Sequence, residues 1–253
     1  MLKRKFHLSK ISLLHYWKLC FRSLLLLVSA SIYIYDRILA AKSSITFTGF
    51  ITRPYIMWFI WVIFAAEMLL RFFPSQLESA GCQKVFARNY RPAPAANGHR
   101  DVSKPTWAIL CVWLGLNGFF AVLYYMGIFD KSILILIALA YSVCDMICIL
   151  FFCPFQSWFL KNKCCGTCRI YNWDFAMMFT PLVLIPHPFT WSLFGLGMAL
   201  AIHWEITHLR HPERFYEETN CALSCANCKE RLCAHKKQLH SLHKKLRALK
   251  LIK

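Results

Sequence analysis

The chain has 253 residues, 58% of them hydrophobic and 17% charged, with 30 Lys and Arg against 12 Asp and Glu. That composition excludes an ordinary soluble domain and points to an all-α, polytopic integral membrane protein. A formal charge of +18 admits nucleic acid or anionic lipid as a partner, and the distribution of the charge along the chain decides for the lipid bilayer.

Four runs reach the roughly 20 residues needed to cross about 30 Å of hydrocarbon. They are Cys20 to Leu39, Tyr55 to Phe73, Trp107 to Phe129 and Ser132 to Cys153. The stretch "FHLSKISLLHYWKLC" before the first run is amphipathic, and no small-x-small cleavage site follows it, so the run reads as a retained anchor. Two weaker runs come later: Ile170 to Ile185, interrupted by Pro181, and Phe189 to His208, with "PHP" between them. Two tilted spans joined by a tight turn fit this pattern, with a re-entrant hairpin as the alternative. The expected fold is therefore about six transmembrane helices. Residues 1–73 hold the basic start and two helices, 74–106 a polar loop with "RPAPAANGHR" in its middle, 107–208 four further helices around a cysteine-rich loop at 153–172, and 209–253 a tail. Leu239, Leu242, Leu246 and Leu249 recur between lysines in that tail, the pattern of a basic amphipathic helix for an anionic leaflet or a protein partner.

Lys and Arg number six before Ser23, six from Arg71 to Lys104, three from Lys161 to Arg169 and eleven from Arg210 onward. These segments alternate with the apolar runs as the positive-inside rule requires when both termini are cytoplasmic. The basic surplus is thus explained by topology, and no nucleic acid partner is expected.

Nine of the 13 cysteines then fall on the cytoplasmic side, where disulfides do not persist and metal binding or thiol chemistry is the first reading. Cys221, Cys225, Cys228 and Cys233 form a C-x3-C-x2-C-x4-C run. Four thiolates in so compact a stretch suit an iron–sulfur cluster better than structural zinc, which usually takes two knuckles separated by a longer loop. The first three share the spacing of radical enzymes that use S-adenosylmethionine, but the soluble barrel of those enzymes has no room here. A second group, Cys164, Cys165 and Cys168 in "KNKCCGTCRIYNWD", needs a fourth ligand, for which Cys153 and Cys82 are the candidates. Cys20, Cys111, Cys144 and Cys148 lie in or beside apolar runs and read as packing residues.

Four acids, Glu67, Asp145, Asp174 and Glu205, sit within or at the edge of four different runs, at a similar depth on the six-crossing map. Carboxylates at that depth face a polar cavity, pair with cations or bind metal. Helix-end pairing with Arg71, Lys161 or Arg210 is the plainest alternative to a catalytic role. "HWEITHLRH" places Glu205, His208 and His211 at steps of three on one helical face, half of a di-iron signature whose second copy is missing. Glu67, Asp145, Asp174, Glu205 and His208 are therefore the catalytic candidates. His187, His203 and His208 are poorly placed for haem, because no two lie at one depth on different helices. No glycine-rich phosphate loop or Ser/His/Asp arrangement occurs. The expectation is a membrane metalloprotein with cytoplasmic iron–sulfur centres that exchanges electrons with a redox partner. A scaffold with structural zinc and a membrane enzyme with an interfacial carboxylate and histidine site are the alternatives.

Overall fold

The computed structural model describes residues 10–43, 54–74, 83–93, 103–160 and 168–224. Cys82, Cys164, Cys165, Cys225, Cys228 and Cys233, and the leucine-repeat tail, lie outside these residues. The described part is all-helical, with no strand and a single isolated bridge between Pro92 and Asn220.

Helix α1 spans Lys10–Ser43 and is 34 residues long. It begins ten residues before the expected apolar run, because "KISLLHYWKLC" has no proline or glycine to stop a helix. Helix α2, Pro54–Leu70, starts on a proline, whose missing N–H costs nothing in a first turn. Helix α3, Ser103–Tyr125, likewise has Pro105 in its first turn. It ends where Gly127 takes φ 76°, and the N–H groups of Gly127 and Ile128 turn back to the carbonyls of Tyr124 and Leu123. Asp130 then caps helix α4, Lys131–Leu150, by accepting from the Ile133 N–H at 2.9 Å. A six-residue π turn, Phe155–Leu160, follows α4.

The segment expected as a fifth span is not one α-helix. A 3-10 turn at Tyr171–Trp173 leads into a short helix α5, Asp174–Phe179, and a second 3-10 turn, Thr180–Leu184, completes it. Pro181 has no N–H for the α-type bond, so the backbone tightens there and does not continue as α. The "PHP" corner then opens helix α6, Pro188–Arg210, with the His187 ring capping the Phe189 N–H at 3.4 Å.

Helix α1 packs along α4, α2 against α6, and α5 against α6. The core runs from Met57 and Leu182 at one end to Met68 and Leu200, and Phe64 meets Phe179 edge-on at 5.2 Å near its middle. Gly197 marks a close helix crossing: a Cβ there would stand 3.2 Å from the backbone of Phe175 and Ala176. That approach is how apolar helices gain contact when lipid supplies no hydrophobic drive.

Among the described residues three helices are long and apolar enough to cross a membrane: Ser12–Ala41, Pro105–Tyr125 and Lys131–Leu150. Helix α2 is apolar but shorter, and α6 has 23 residues but carries His203, Glu205 and His208. Their outer surfaces are greasy, with Leu24, Leu27 and Ile34 on α1 and Val112, Phe119 and Val122 on α3 all exposed. Exposed aromatics close the band at both ends, Trp17 and Tyr35 on α1 and Trp107 and Tyr125 on α3. Each pair is 18 residues apart, a rise of about 27 Å, close to the thickness of a bilayer core.

Candidate functional site

Glu67, Asp145, Asp174 and Glu205 lie at one end of the bundle, and each meets a cation. Arg22, only 3% exposed, sits near the middle of α1 and reaches two other helices. Its guanidinium donates to Glu67 of α2, to the Ser142 carbonyl at 3.1 Å and to Asp145 of α4 at 3.3 Å. It also lies over the Phe64 ring, 5.3 Å from the centroid. Lys18, one turn earlier on α1, is 3.4 Å from the second Glu67 oxygen. Arg71, just past the end of α2, donates from Nη1 to Asp174 Oδ1 at 2.7 Å, lies as close to the other carboxylate oxygen, and stacks on Phe175 at 4.5 Å. Asp174 in turn accepts the Phe175 N–H at 2.9 Å at the start of α5. A guanidinium that donates to several acceptors, as Arg22 does, is what lets charge survive burial.

Arg169 grips Glu205 with both terminal nitrogens, Nη1 to Oε1 at 2.5 Å, and the Trp173 indole N–H adds a third bond at 2.6 Å. His208 looks elsewhere: its Nε2 is 3.4 Å from the Tyr216 hydroxyl and its ring packs on Phe215 at 4.9 Å. Glu205 and His208 therefore have different partners despite sharing a helical face. His211 pairs with Glu213 at 3.3 Å, and His203 packs on Phe72 at 5.5 Å. Among the described residues no three His, Cys, Asp or Glu side chains stand close enough to hold one metal ion.

A small structure beyond this ionic layer joins residues 83–93 to 211–224. Asn220 is fully buried and uses its whole hydrogen-bonding capacity. Its oxygen accepts from the Arg91 N–H at 3.3 Å and the Ala222 N–H at 3.0 Å, and its amide donates to the carbonyls of Lys84 at 3.2 Å and Arg214 at 2.8 Å. The Cys221 N–H donates to the Arg91 carbonyl at 2.8 Å and the Ala93 N–H to the Thr219 carbonyl at 3.1 Å. Leu223 and Val85 complete the core beneath, where Phe86 meets Trp204 edge-on at 4.9 Å. The first cysteine of the C-x3-C-x2-C-x4-C run thus starts from a fixed backbone edge.

Two further cysteines expected as ligands are described. Cys153 follows the end of α4, and Cys168 precedes the 3-10 turn before α5. Both line a cavity of about 130 Å³ between α3, α4, the π turn and α5. Asp145 and Asp174 reach its wall, as do Cys144 and Cys148, which the apolar pattern had assigned to packing alone. Nothing local in the sequence identifies Arg22, Lys18 and Arg169 as the counter-ions or Asn220 as the organiser of the loop. Their partners are 123 residues away for Arg22 with Asp145 and 129 for Asn220 with Arg91.

Fold and site together define an all-helical protein with apolar helices fit for a bilayer and a charge-paired layer at one end. Compared with known protein families, curated proteins and solved structures, the chain matches none.

Proposed function

We propose that the chain is an integral membrane metalloprotein with six crossings and both termini in the cytoplasm. The layer of Arg22, Arg71 and Arg169 then lies at the cytoplasmic boundary, and residues 83–93 and 211–224 extend beyond it. Cys221, Cys225, Cys228 and Cys233 hold an iron–sulfur cluster there, and Cys164, Cys165 and Cys168, with Cys153 or Cys82 as the fourth ligand, supply a second centre. These centres pass electrons to or from a partner at the cytoplasmic face.

The observation that carries this reading is the Asn220 junction. A buried asparagine with four hydrogen bonds holds Cys221 against residues 91–93, which supports a built ligand loop at the start of the cysteine run. Structural zinc is the second reading. The junction buries only a few side chains, Val85, Leu223 and Asn220 among them, and metal would supply folding free energy that so small a core lacks.

Anaerobic purification in detergent, metal analysis and an absorption spectrum before and after dithionite separate the two. Iron with acid-labile sulfide and a visible band that bleaches is the expected result. Colourless protein with stoichiometric zinc overturns electron transfer and leaves the scaffold.

A further inference from the structure

The cavity of about 130 Å³ beside the charge-paired layer is walled largely by rings and sulfur. Trp113 of α3 and Tyr141 of α4 meet on its wall, with centroids 4.5 Å apart and planes tilted by 50°. The Trp113 indole is held in place by its bond to Thr180 at 3.3 Å. Tyr171, Met177 and Met178 continue the wall from the 3-10 turn into α5, and methionine sulfur packs favourably against aromatic ring edges. An apolar cavity of about 150 Å³ takes a benzene ring, so a single six-membered ring is the size of group that suits this space.

Two carboxylates, Asp145 and Asp174, interrupt the apolar lining. The Asp174 side chain is 10% exposed, and its two oxygens are used unequally. Oδ1 accepts from Arg71 Nη1 at 2.7 Å and from the Phe175 N–H at 2.9 Å. Oδ2 is also 2.7 Å from Arg71 Nη1, yet among the described residues no donor meets it in hydrogen-bonding geometry. A carboxylate oxygen can only accept, and a buried one is rarely left open. Charge decides which donor suits it. Arg22 and Arg71 already balance the two acids, so a cationic ligand would bring uncompensated charge to membrane depth and an anion would face both carboxylates. A neutral O–H donor does neither. Cys144 shows the approach, since it lines the cavity and is exposed on α4, a helix fit to span the bilayer. A ligand arriving by that side comes from lipid.

We propose that this cavity binds a neutral, lipid-soluble phenol, its ring beside Trp113, Tyr141 and Met177 and its hydroxyl donating to Asp174 Oδ2. A phenolic O–H is a stronger donor than that of an alkanol and lies in the plane of its ring, so the walls and the carboxylate select the same class. Binding makes and breaks no covalent bond and requires none of the proposed metal centres.

The test is protection of Cys144 in the full-length protein in detergent. Protein is incubated with 4-hexylphenol, its methyl ether or 4-hexylcyclohexanol, then treated briefly with N-ethylmaleimide, and each cysteine is read by peptide mass. Cys111, exposed on α3 and absent from this wall, reports non-specific partition into the micelle. The expected result is saturable protection of Cys144 by the phenol with Cys111 unchanged, and binding about tenfold weaker for the ether, which has no proton to donate to a carboxylate. The cyclohexanol keeps the hydroxyl without the flat ring and should also bind more weakly. No protection, equal protection of Cys144 and Cys111, or binding of the ether or the cyclohexanol as tight as that of the phenol overturns the proposal. Met177→Phe fills the cavity and should abolish protection; unchanged protection in the folded variant overturns it too. As a measure that needs no variant, 4-hexylphenol with a photoreactive diazirine on its chain should label residues 141–156 or 168–178 of the wild type, and labelling only elsewhere overturns the site.

Discussion

Replacing Arg22 with methionine asks the most of the structure, because one guanidinium serves two carboxylates on two other helices. Arg22→Met leaves Glu67 and Asp145, 16% and 17% exposed, without their main counter-ion. Lys18 remains 3.4 Å from Glu67 but is itself 22% exposed, so it compensates little. Removing one partner of a buried ion pair costs about 3–5 kcal/mol. That corresponds to a change of at least about 150-fold in the ratio of folded to unfolded protein. The triple variant Arg22→Met, Glu67→Gln, Asp145→Asn removes the charges together and should recover at least half of the loss, since uncharged replacements of buried ion pairs are often nearly neutral. Unfolding in mixed micelles of rising dodecyl sulfate fraction, followed through the nine tryptophans, measures both. A loss below about 1 kcal/mol in the single variant, or a triple variant no more stable than the single, would refute the view that Arg22 neutralises two buried acids.

The same titration tests the α5–α6 crossing. Gly197→Ala pushes a methyl to 3.2 Å from the Phe175 and Ala176 backbone, whereas nothing lies within 4 Å of a Cβ at Gly195. Gly197→Ala should therefore cost about 1–3 kcal/mol, and Gly195→Ala should be neutral or gain up to about 1 kcal/mol from helix propensity. Equal effects would mean that the two helices do not approach closely at Gly197. Asn220→Ala removes four hydrogen bonds and should loosen the junction by about 2–4 kcal/mol. Hydrogen exchange at the Ala93 and Cys221 amides, which bond to the Thr219 and Arg91 carbonyls, should accelerate accordingly. Unchanged exchange would show that Asn220 does not hold the loop.

The apolar runs of α2, α3 and α4 were legible because length and composition alone set a span, and each lies within a few residues of its expected limits. Pro181 was visible too, but whether a proline bends a helix or ends it depends on the packing around it. Here Trp113 donates to Thr180 at 3.3 Å and the segment stays continuous through a 3-10 turn. The shared depth of Glu67, Asp145, Asp174 and Glu205 could be read from the sequence, as could Arg71 as a partner. The other partners could not: Arg22 and Lys18 look like topological charge at the start of α1, and only the packing of that helix onto α4 carries Arg22 to Asp145.

The layer at the charged end contains Lys18, Arg22, Arg71 and Arg169 against Glu67, Asp145, Asp174 and Glu205, four positive groups and four negative. A transmembrane voltage does work on net charge, about 2.3 kcal/mol for each charge carried across 100 mV. Opposite forces on this layer cancel, so a change in voltage does not displace it as a unit. The ion pairs of this layer are in this sense electrically silent, and the +18 of the chain is carried entirely by other residues.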